Sequence, residues 1–322
     1  MKSRVLLSLV ALLSASVSFA SFELMVACDA NGKLHRYDIE NSVYMGAASN
    51  FRISTATAFT LNQANSTAYI ADFSNRIHRI NYFTNEYLGS FASGVFDIKH
   101  MSMGIDGSLI TTHSTGTRVF NQNSGASIRN LSYVAGDVAV GAVQKSDGTY
   151  AAVSYIGGGA AYYRNSFNAS GAGILSSFLD SGSSNLSYTT VGLYGNNDVI
   201  TYGRSLLTGF RSVFSLSGSA LTPTTLSSTI SGADVLATTG GRLHDGTYMT
   251  AAHRISSGNT LVTGYYTQPG TGQFLGTPTS LFTISGTTSL VGVNVVTAPE
   301  PASMIALGVG LAAVMKRRKG KK

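Results

Sequence analysis

The sequence is short of the residues that mark several large protein classes. A single cysteine, Cys28, in 322 residues leaves no internal disulfide and no thiolate cluster for a metal. Asp, Glu, Lys and Arg make up only 11% of the chain, too little for a disordered polyelectrolyte. The 5 prolines are too few for an extended linker, and long apolar runs occur only near the two ends, which excludes a polytopic membrane protein. A charge excess is missing from the body as well. The termini hold eight of the 22 Lys and Arg and one of the 15 acidic residues, which leaves fourteen of each sign between Ser21 and Ala298. Nucleic-acid binding, which needs clustered Lys or Arg, finds no support there. What remains is 43% apolar residues, scattered rather than blocked, with 36 Gly. That composition predicts a strand-rich globular body.

The ends read as addresses. Lys2 and Arg4 precede the apolar run Val5 to Leu13, and Ser18-Phe19-Ala20 supplies the small-x-small site of a signal peptide, with cleavage expected after Ala20. Met25-Val26-Ala27-Cys28 loosely resembles a lipoprotein box, but Glu23 interrupts the apolar approach and Cys28 lies far beyond the run. At the other end Pro299-Glu300-Pro301-Ala302-Ser303 leads into an apolar segment from Met304 to Met315 and then Lys316-Arg317-Arg318-Lys319. These three parts, in this order, resemble the PEP-CTERM sorting signal of bacteria that use an exosortase. Fourteen helical residues at about 1.5 Å each reach roughly 21 Å, short of a hydrocarbon core of about 30 Å unless the flanking basic side chains snorkel. A marginal, temporary inner-membrane anchor follows, with the basic cluster inside and the body outside. The resemblance implies handling by an integral membrane exosortase after signal peptidase, and release or transfer to the cell surface. Residues 1–20, 21–298 and 299–322 are the expected signal peptide, body and sorting segment.

The body repeats. A shift of 43 aligns Val26 to Ala47 with Tyr69 to Ser90, pairing Asp29 with Asp72, His35 with His78, Arg36 with Arg79, Tyr44 with Tyr87 and Gly46 with Gly89. Turn formers recur at Asn65-Ser66, Asp106-Gly107, Asp147-Gly148, Asn197-Asp198 and Asp245-Gly246, each between strand-like runs. About ten residues earlier, Asp97, Asp137 and Asp234 each open a short apolar segment. Four strands in 40 to 50 residues is the size of a propeller blade, and the motif resembles NHL and YVTN propellers more than the Trp-Asp type. The expected fold is an all-β, six-bladed β-propeller closed by pairing of its N- and C-terminal strands, flanked by a signal helix and a short C-terminal apolar helix. Its innermost strands fall near Ser54–Leu61, Val95–Met103, Ala135–Val143, Tyr188–Tyr194, Ala233–Thr239 and Thr288–Val296. Seven blades are the alternative, because Gly158 to Ser187 is long, and a β-helix or a sandwich is the competing fold.

No Gly-x-Ser-x-Gly elbow, His-Glu-x-x-His or Walker loop is present, so no catalytic residue, metal or cofactor is assigned. The propeller arrangement instead places Asp29, Asp72, His113, Tyr155, Tyr202 and His253 on loops after second strands, and Asp97, Asp137 and Asp234 at the start of innermost strands. Together they are the candidates for a ligand face around the channel. Converging carboxylates would suit a cation or sugar hydroxyls, whereas a turn-capping role is the favoured reading for each Asp. His35 and His78 are expected to hydrogen-bond between blades. Cys28 is expected to be a small buried apolar residue rather than a nucleophile. The functional expectation is an exported binding or matrix protein whose partner is an extracellular polysaccharide or an envelope protein. An extracellular propeller lyase or hydrolase is the alternative, and a purely architectural spacer a third.

Overall fold

A computed structural model describes residues 21–48, 53, 55–156, 161–181, 186–193, 199–205, 211–215, 224–225, 235–237, 239–268, 275 and 277–299. The expected signal peptide and the sorting tail from residue 300 onward lie outside these residues. Among the described residues no helix is long and apolar enough to cross a membrane, and the one helical element is a 3-10 turn, Gln63–Asn65.

Everything else regular is antiparallel sheet, in six groups. Sheet I joins β1 (Ser21–Asp29), β2 (Leu34–Asp38) and β3 (Val43–Ala48). Sheet II holds β4 (Ala56–Asn62), β5 (Thr67–Asp72), β6 (Arg76–Asn81) and β7 (Tyr87–Ala92). Sheet III holds β8 (Ile98–Met103), β9 (Leu109–His113), β10 (Gly116–Phe120) and β11 (Ser127–Leu131). Sheet IV holds β12 (Val138–Gln144), β13 (Tyr150–Ile156), β14 (Ala161–Phe167) and β15 (Gly173–Ser181). Sheet V holds β16 (Leu186–Leu193), β17 (Val199–Ser205), β18 (Arg211–Ser215) and β19 (Thr224–Thr225). Sheet VI holds β20 (Val235–Leu236), β21 (Gly241–Arg242), β22 (Tyr248–Ser256), β23 (Asn259–Thr267) and β24 (Thr279–Ser285), with β20 and β21 both pairing β22. The last strand, β25 (Leu290–Pro299), returns to sheet I and pairs β1 from Ser21↔Pro299 to Asp29↔Leu290. The chain is built of four-stranded meanders.

The turns inside the meanders follow from local chemistry. Asp106, Asp147 and Asp245 each accept the backbone N–H two residues on through Oδ1, at 2.9, 2.9 and 2.8 Å, and the following Gly107, Gly148 and Gly246 have φ of 76°, 81° and 89°. Only glycine takes that conformation without a Cβ penalty. Asn65 plays the same part toward Thr67 at 3.2 Å.

Alternation then sorts the side chains. In β1, Leu24, Val26 and Cys28 join Phe59, Ile70 and Ile80 of sheet II, while Met25 and Ala27 join Met249, Val262 and Phe282 of sheet VI. Further clusters lie between sheets II and III (Tyr69, Ile77, Met101, Phe120), III and IV (Ile110, Val119, Tyr150, Phe167), and IV and V (Val143, Val153, Val191, Val199). Sheets V and VI meet where Gly192 makes room for Tyr248: a Cβ there would stand 1.9 Å from the phenol oxygen. Sheets I to IV are thus covered on both faces by apolar clusters with their neighbours, which is why an apolar content without long runs suffices. The first and second strands of sheets II to V are offset by a bulge, falling between Ala56/Ala58, Ile98/His100, Ala139/Gly141 and Tyr188/Thr190. The bulge increases local twist at an equivalent place in each.

Candidate functional site

For each sheet, the upper end is where its first strand begins and its second strand ends. In sheet II Ala56 pairs Asp72 at this end and Asn62 pairs Thr67 at the lower end. Sheets I and II carry one device at the upper end. Asp29 Oδ1 accepts from the N–H groups of Asn31 (2.9 Å) and Lys33 (3.0 Å), its Oδ2 lies 3.2 Å from His35 Nε2, and His35 Nδ1 lies 2.9 Å from the Tyr44 hydroxyl. Asp72 repeats this with Ser74 and Arg76 N–H (both 2.9 Å), His78 (2.9 Å) and Tyr87 (3.1 Å). Because Nε2 must donate to the carboxylate, Nδ1 of a neutral ring is the acceptor and the phenol donates. The histidines therefore bond within their own sheets, contrary to the inter-blade expectation, since β2 and β6 lie between the strands that carry their partners. The neighbouring arginines make the crossing: Arg36 Nη1 donates to Phe83 O at 3.5 Å and Arg79 Nη1 to Asn123 O at 3.1 Å.

The remaining candidates are dispersed. Asp97, half-exposed, pairs with Lys99 at 3.0 Å, and buried His113 bonds Thr115 Oγ1 through Nδ1 at 3.0 Å. Burial, then the positive charge of Arg118, lowers the His113 pKa against an opposing effect of Asp97. Asp137 accepts from Ser154 Oγ at 2.7 Å, and Asn165 Nδ2 donates to the same hydroxyl at 2.8 Å. His253 lies within β22 and is buried, with Nδ1 accepting the Leu290 N–H at 3.3 Å. Tyr155 packs at 5.5 Å between ring centres on Tyr162, Tyr202 occupies β17 opposite Thr190, and Asp234 lies outside the described residues. Asp29, Asp72 and Asp137 are engaged within their own sheets and Asp97 by Lys99, so these carboxylates are not assembled into one acidic cluster. Cys28 is buried, and desolvation, then the Asp29 charge, raises its thiol pKa well above the ordinary value.

What the upper end does expose is apolar. Phe73 directly follows Asp72 and is 71% exposed, and Phe96 directly precedes Asp97 at 75%. Val134 stands before β12, Val235 opens β20, and Ile156 and Ile255 lie at the ends of second strands; all four are exposed. Sequence reading passed these over because apolar residues were assigned to the core. Their signal was adjacency to the turn aspartates and strand ends, where alternation no longer dictates burial.

The lower half holds a cavity of about 270 Å3 to which every sheet contributes, among them Leu61 of β4, Met103 of β8, Val143 of β12, Leu193 of β16, Arg242 of β21 and Val295 of β25. His100 lies beside it. Its Nε2 donates to Val191 O at 2.7 Å, from sheet III to sheet V, past Gly141 of sheet IV. A Cβ on Gly141 would sit 3.0 Å from the imidazole and 2.9 Å from Val191, so that glycine is what admits the crossing ring. Complete burial lowers the His100 pKa to about 4 against the hydrogen bond to Val191, which keeps the ring neutral, and Nδ1 finds no partner among the described residues. The cavity is small and chiefly apolar, and it is not where the sequence places the candidates.

Residues 297–319 match the PEP-CTERM protein-sorting motif. No curated protein matches the chain. Among solved structures the chain is similar to the crystal structure of the Cps50 (Swd1) β-propeller domain of Myceliophteria thermophila, with 9% sequence identity, coverage of 84% of this chain and 85% of that one, and a TM-score of 0.53. At that identity the likeness speaks for the β-propeller fold alone. The sorting motif implies export across the membrane to the cell surface through an exosortase.

Proposed function

We propose that this PEP-CTERM protein, with its propeller body, is a closed six-bladed ring whose upper face binds an extracellular polymer or envelope protein, as a component of the cell-surface matrix. The six sheets, the packing of each on the next, and the β1–β25 pairing support the ring. The observation that carries the binding role is the set of exposed apolar side chains, led by Phe73 and Phe96, on a face whose backbone is pinned by Asp turns. Aromatic faces stack on sugar rings, and exposed aromatic side chains on an exported protein offer such faces. The polymer-cleaving alternative has no observation in its favour among the described residues: Asp97 pairs with Lys99, Asp137 with Ser154, and His113 and His253 are hydrogen-bonded to Thr115 and Leu290.

Pull-down of the protein with native exopolysaccharide and with envelope fractions tests the role. The wild type is expected to be retained, and Phe73→Ala with Phe96→Ala to lose about tenfold or more in retention, the usual cost of removing exposed aromatic anchors. Failure of the wild type to bind any envelope polymer or protein would sink the proposal. The route is tested separately: Glu300→Ala, or deletion of Lys316 to Lys322, is expected to strand the chain in the inner membrane, and unaltered release refutes exosortase handling.

A further inference from the structure

We infer that the lower rim carries a divalent transition-metal site formed by Glu23, Glu40 and His244, which clamps sheet I to sheet VI beside the pairing of β1 with β25. Each residue offers one ligand atom, and the three atoms lie within 4.8 Å of one another. They come from three separate places: Glu23 from β1, Glu40 from the β2–β3 turn and His244 from the turn between β21 and β22.

Each place is fixed by its own backbone bonds. The Ile39 N–H donates to Glu23 O at 2.9 Å, which holds the Glu40 turn beside β1. The His244 turn is closed by Leu243 N–H to Thr247 O (2.8 Å), Gly246 N–H to Leu243 O (3.0 Å) and Thr247 N–H to Asp245 Oδ1 (2.8 Å). Glu23 also accepts the His244 backbone N–H, so imidazole and carboxylate are anchored to each other twice.

The electrostatics ask for a cation. Glu23 is buried, and a buried carboxylate ordinarily has a permanent positive partner. The one ion pair found for it among the described residues is with His244 Nδ1 at 2.9 Å, an imidazole that is charged only when protonated. Glu40 adds a second carboxylate within reach of that ring. A metal would replace the proton on Nδ1, releasing it to solvent, and take one oxygen from each glutamate. Two carboxylates and one imidazole, with open positions for water, suit zinc or manganese rather than calcium, which takes six to eight oxygens. Glu40 and His244 are exposed and can swing inward to coordination distance, while Glu23 stays fixed.

Calorimetric titration of metal-free protein with ZnCl2 at pH 7.5, with CaCl2 as the comparison ion, tests the site. Zinc is expected to bind once per chain and raise the melting temperature by several degrees. The Glu40→Gln variant, whose changed residue is exposed and holds no part of the core, is expected to lose about tenfold or more in zinc affinity with an unchanged melting temperature in chelator. His244→Ala should lose zinc affinity likewise, but with a lower melting temperature in chelator, because it leaves buried Glu23 without its imidazole partner. Binding weakened equally by Ca2+ competition, zinc affinity unchanged in both variants, or no zinc binding overturns the inference.

Discussion

Sheets I and II do with the same three side chains what sheets III and IV do with different ones. In the first two an Asp-His-Tyr line crosses three strands. In sheet III the crossing is made by Thr112 to Thr117 at 3.0 Å and Thr117 to the Tyr133 hydroxyl at 2.9 Å, and in sheet IV by Asp137, Ser154 and Asn165. The difference teaches that the fold needs a satisfied polar line through an otherwise apolar blade, and that its chemistry is exchangeable. A carboxylate and imidazole whose place is taken by two threonines elsewhere act as a tether, which bears directly on reading Asp29 and Asp72 as functional acids.

The largest effect should come from cutting the line where one carboxylate serves most. Asp72→Ala strands two backbone N–H groups and buried His78 at once, and is expected to cost about 3–5 kcal/mol, as breaking a buried pair from one side does. Asp137→Asn is the counterpart in sheet IV. Asp137 is only part-buried and its Oδ1 has no partner among the described residues, so exchanging its charge for an amide should cost about 1 kcal/mol or less. Urea unfolding of the two variants checks this. Equal losses would break the distinction between a multiply used and a singly used carboxylate.

Acid should separate the histidines that have a carboxylate from His100, which is fully buried without one. His100 binds its proton at about pH 4 in the folded protein against an ordinary value of 6.5, so between these values the unfolded chain takes up a proton that the folded one refuses. Stability is therefore expected to fall as pH drops from about 6.5 to 4, by about 3 kcal/mol from this group, and to be independent of it above 6.5. His100→Gln, tracked by urea midpoints across that range, should flatten this part of the profile. An unchanged slope would mean that burial does not hold the ring neutral.

Much of the fold was legible in the sequence, for reasons visible in these same elements. Turn aspartates and glycines announce themselves locally, and a period of 43 residues brings Asp29 and Asp72 into register without any knowledge of their contacts. The first strands fell where expected, except that sheet VI divides its first strand into β20 and β21. The site was far less legible. Partners such as His100 and Val191, or Glu23 and His244, are 91 and 221 residues apart and join through packing of separate sheets, which no spacing encodes. The bulges escaped notice because one extra residue in a strand leaves composition unchanged. Exposure of Phe73 and Phe96 escaped because hydropathy says what a side chain prefers, not whether a neighbour is there to cover it.

The smallest expected effect isolates the outer end of the line. Tyr44→Phe and Tyr87→Phe each remove one hydroxyl that donates to a histidine Nδ1, and each should cost about 1 kcal/mol, the usual net worth of such a bond. The two should nevertheless diverge. The Tyr44 ring stacks on Phe282 of sheet VI with centres 4.6 Å apart and planes at 12°, a contact that phenylalanine keeps. The Tyr87 ring instead tilts against His78 at 6.0 Å, where the hydroxyl is the main constraint on the ring. If the line is a tether within the sheet, Tyr87→Phe loses more than Tyr44→Phe, and Tyr44→Ala, which removes the stack too, loses more than either. A Tyr44→Ala variant as stable as Tyr44→Phe would show that the contact between sheets I and VI does not rest on this ring, and would leave the packing of Met25 and Ala27 on Met249 and Val262 to hold that junction.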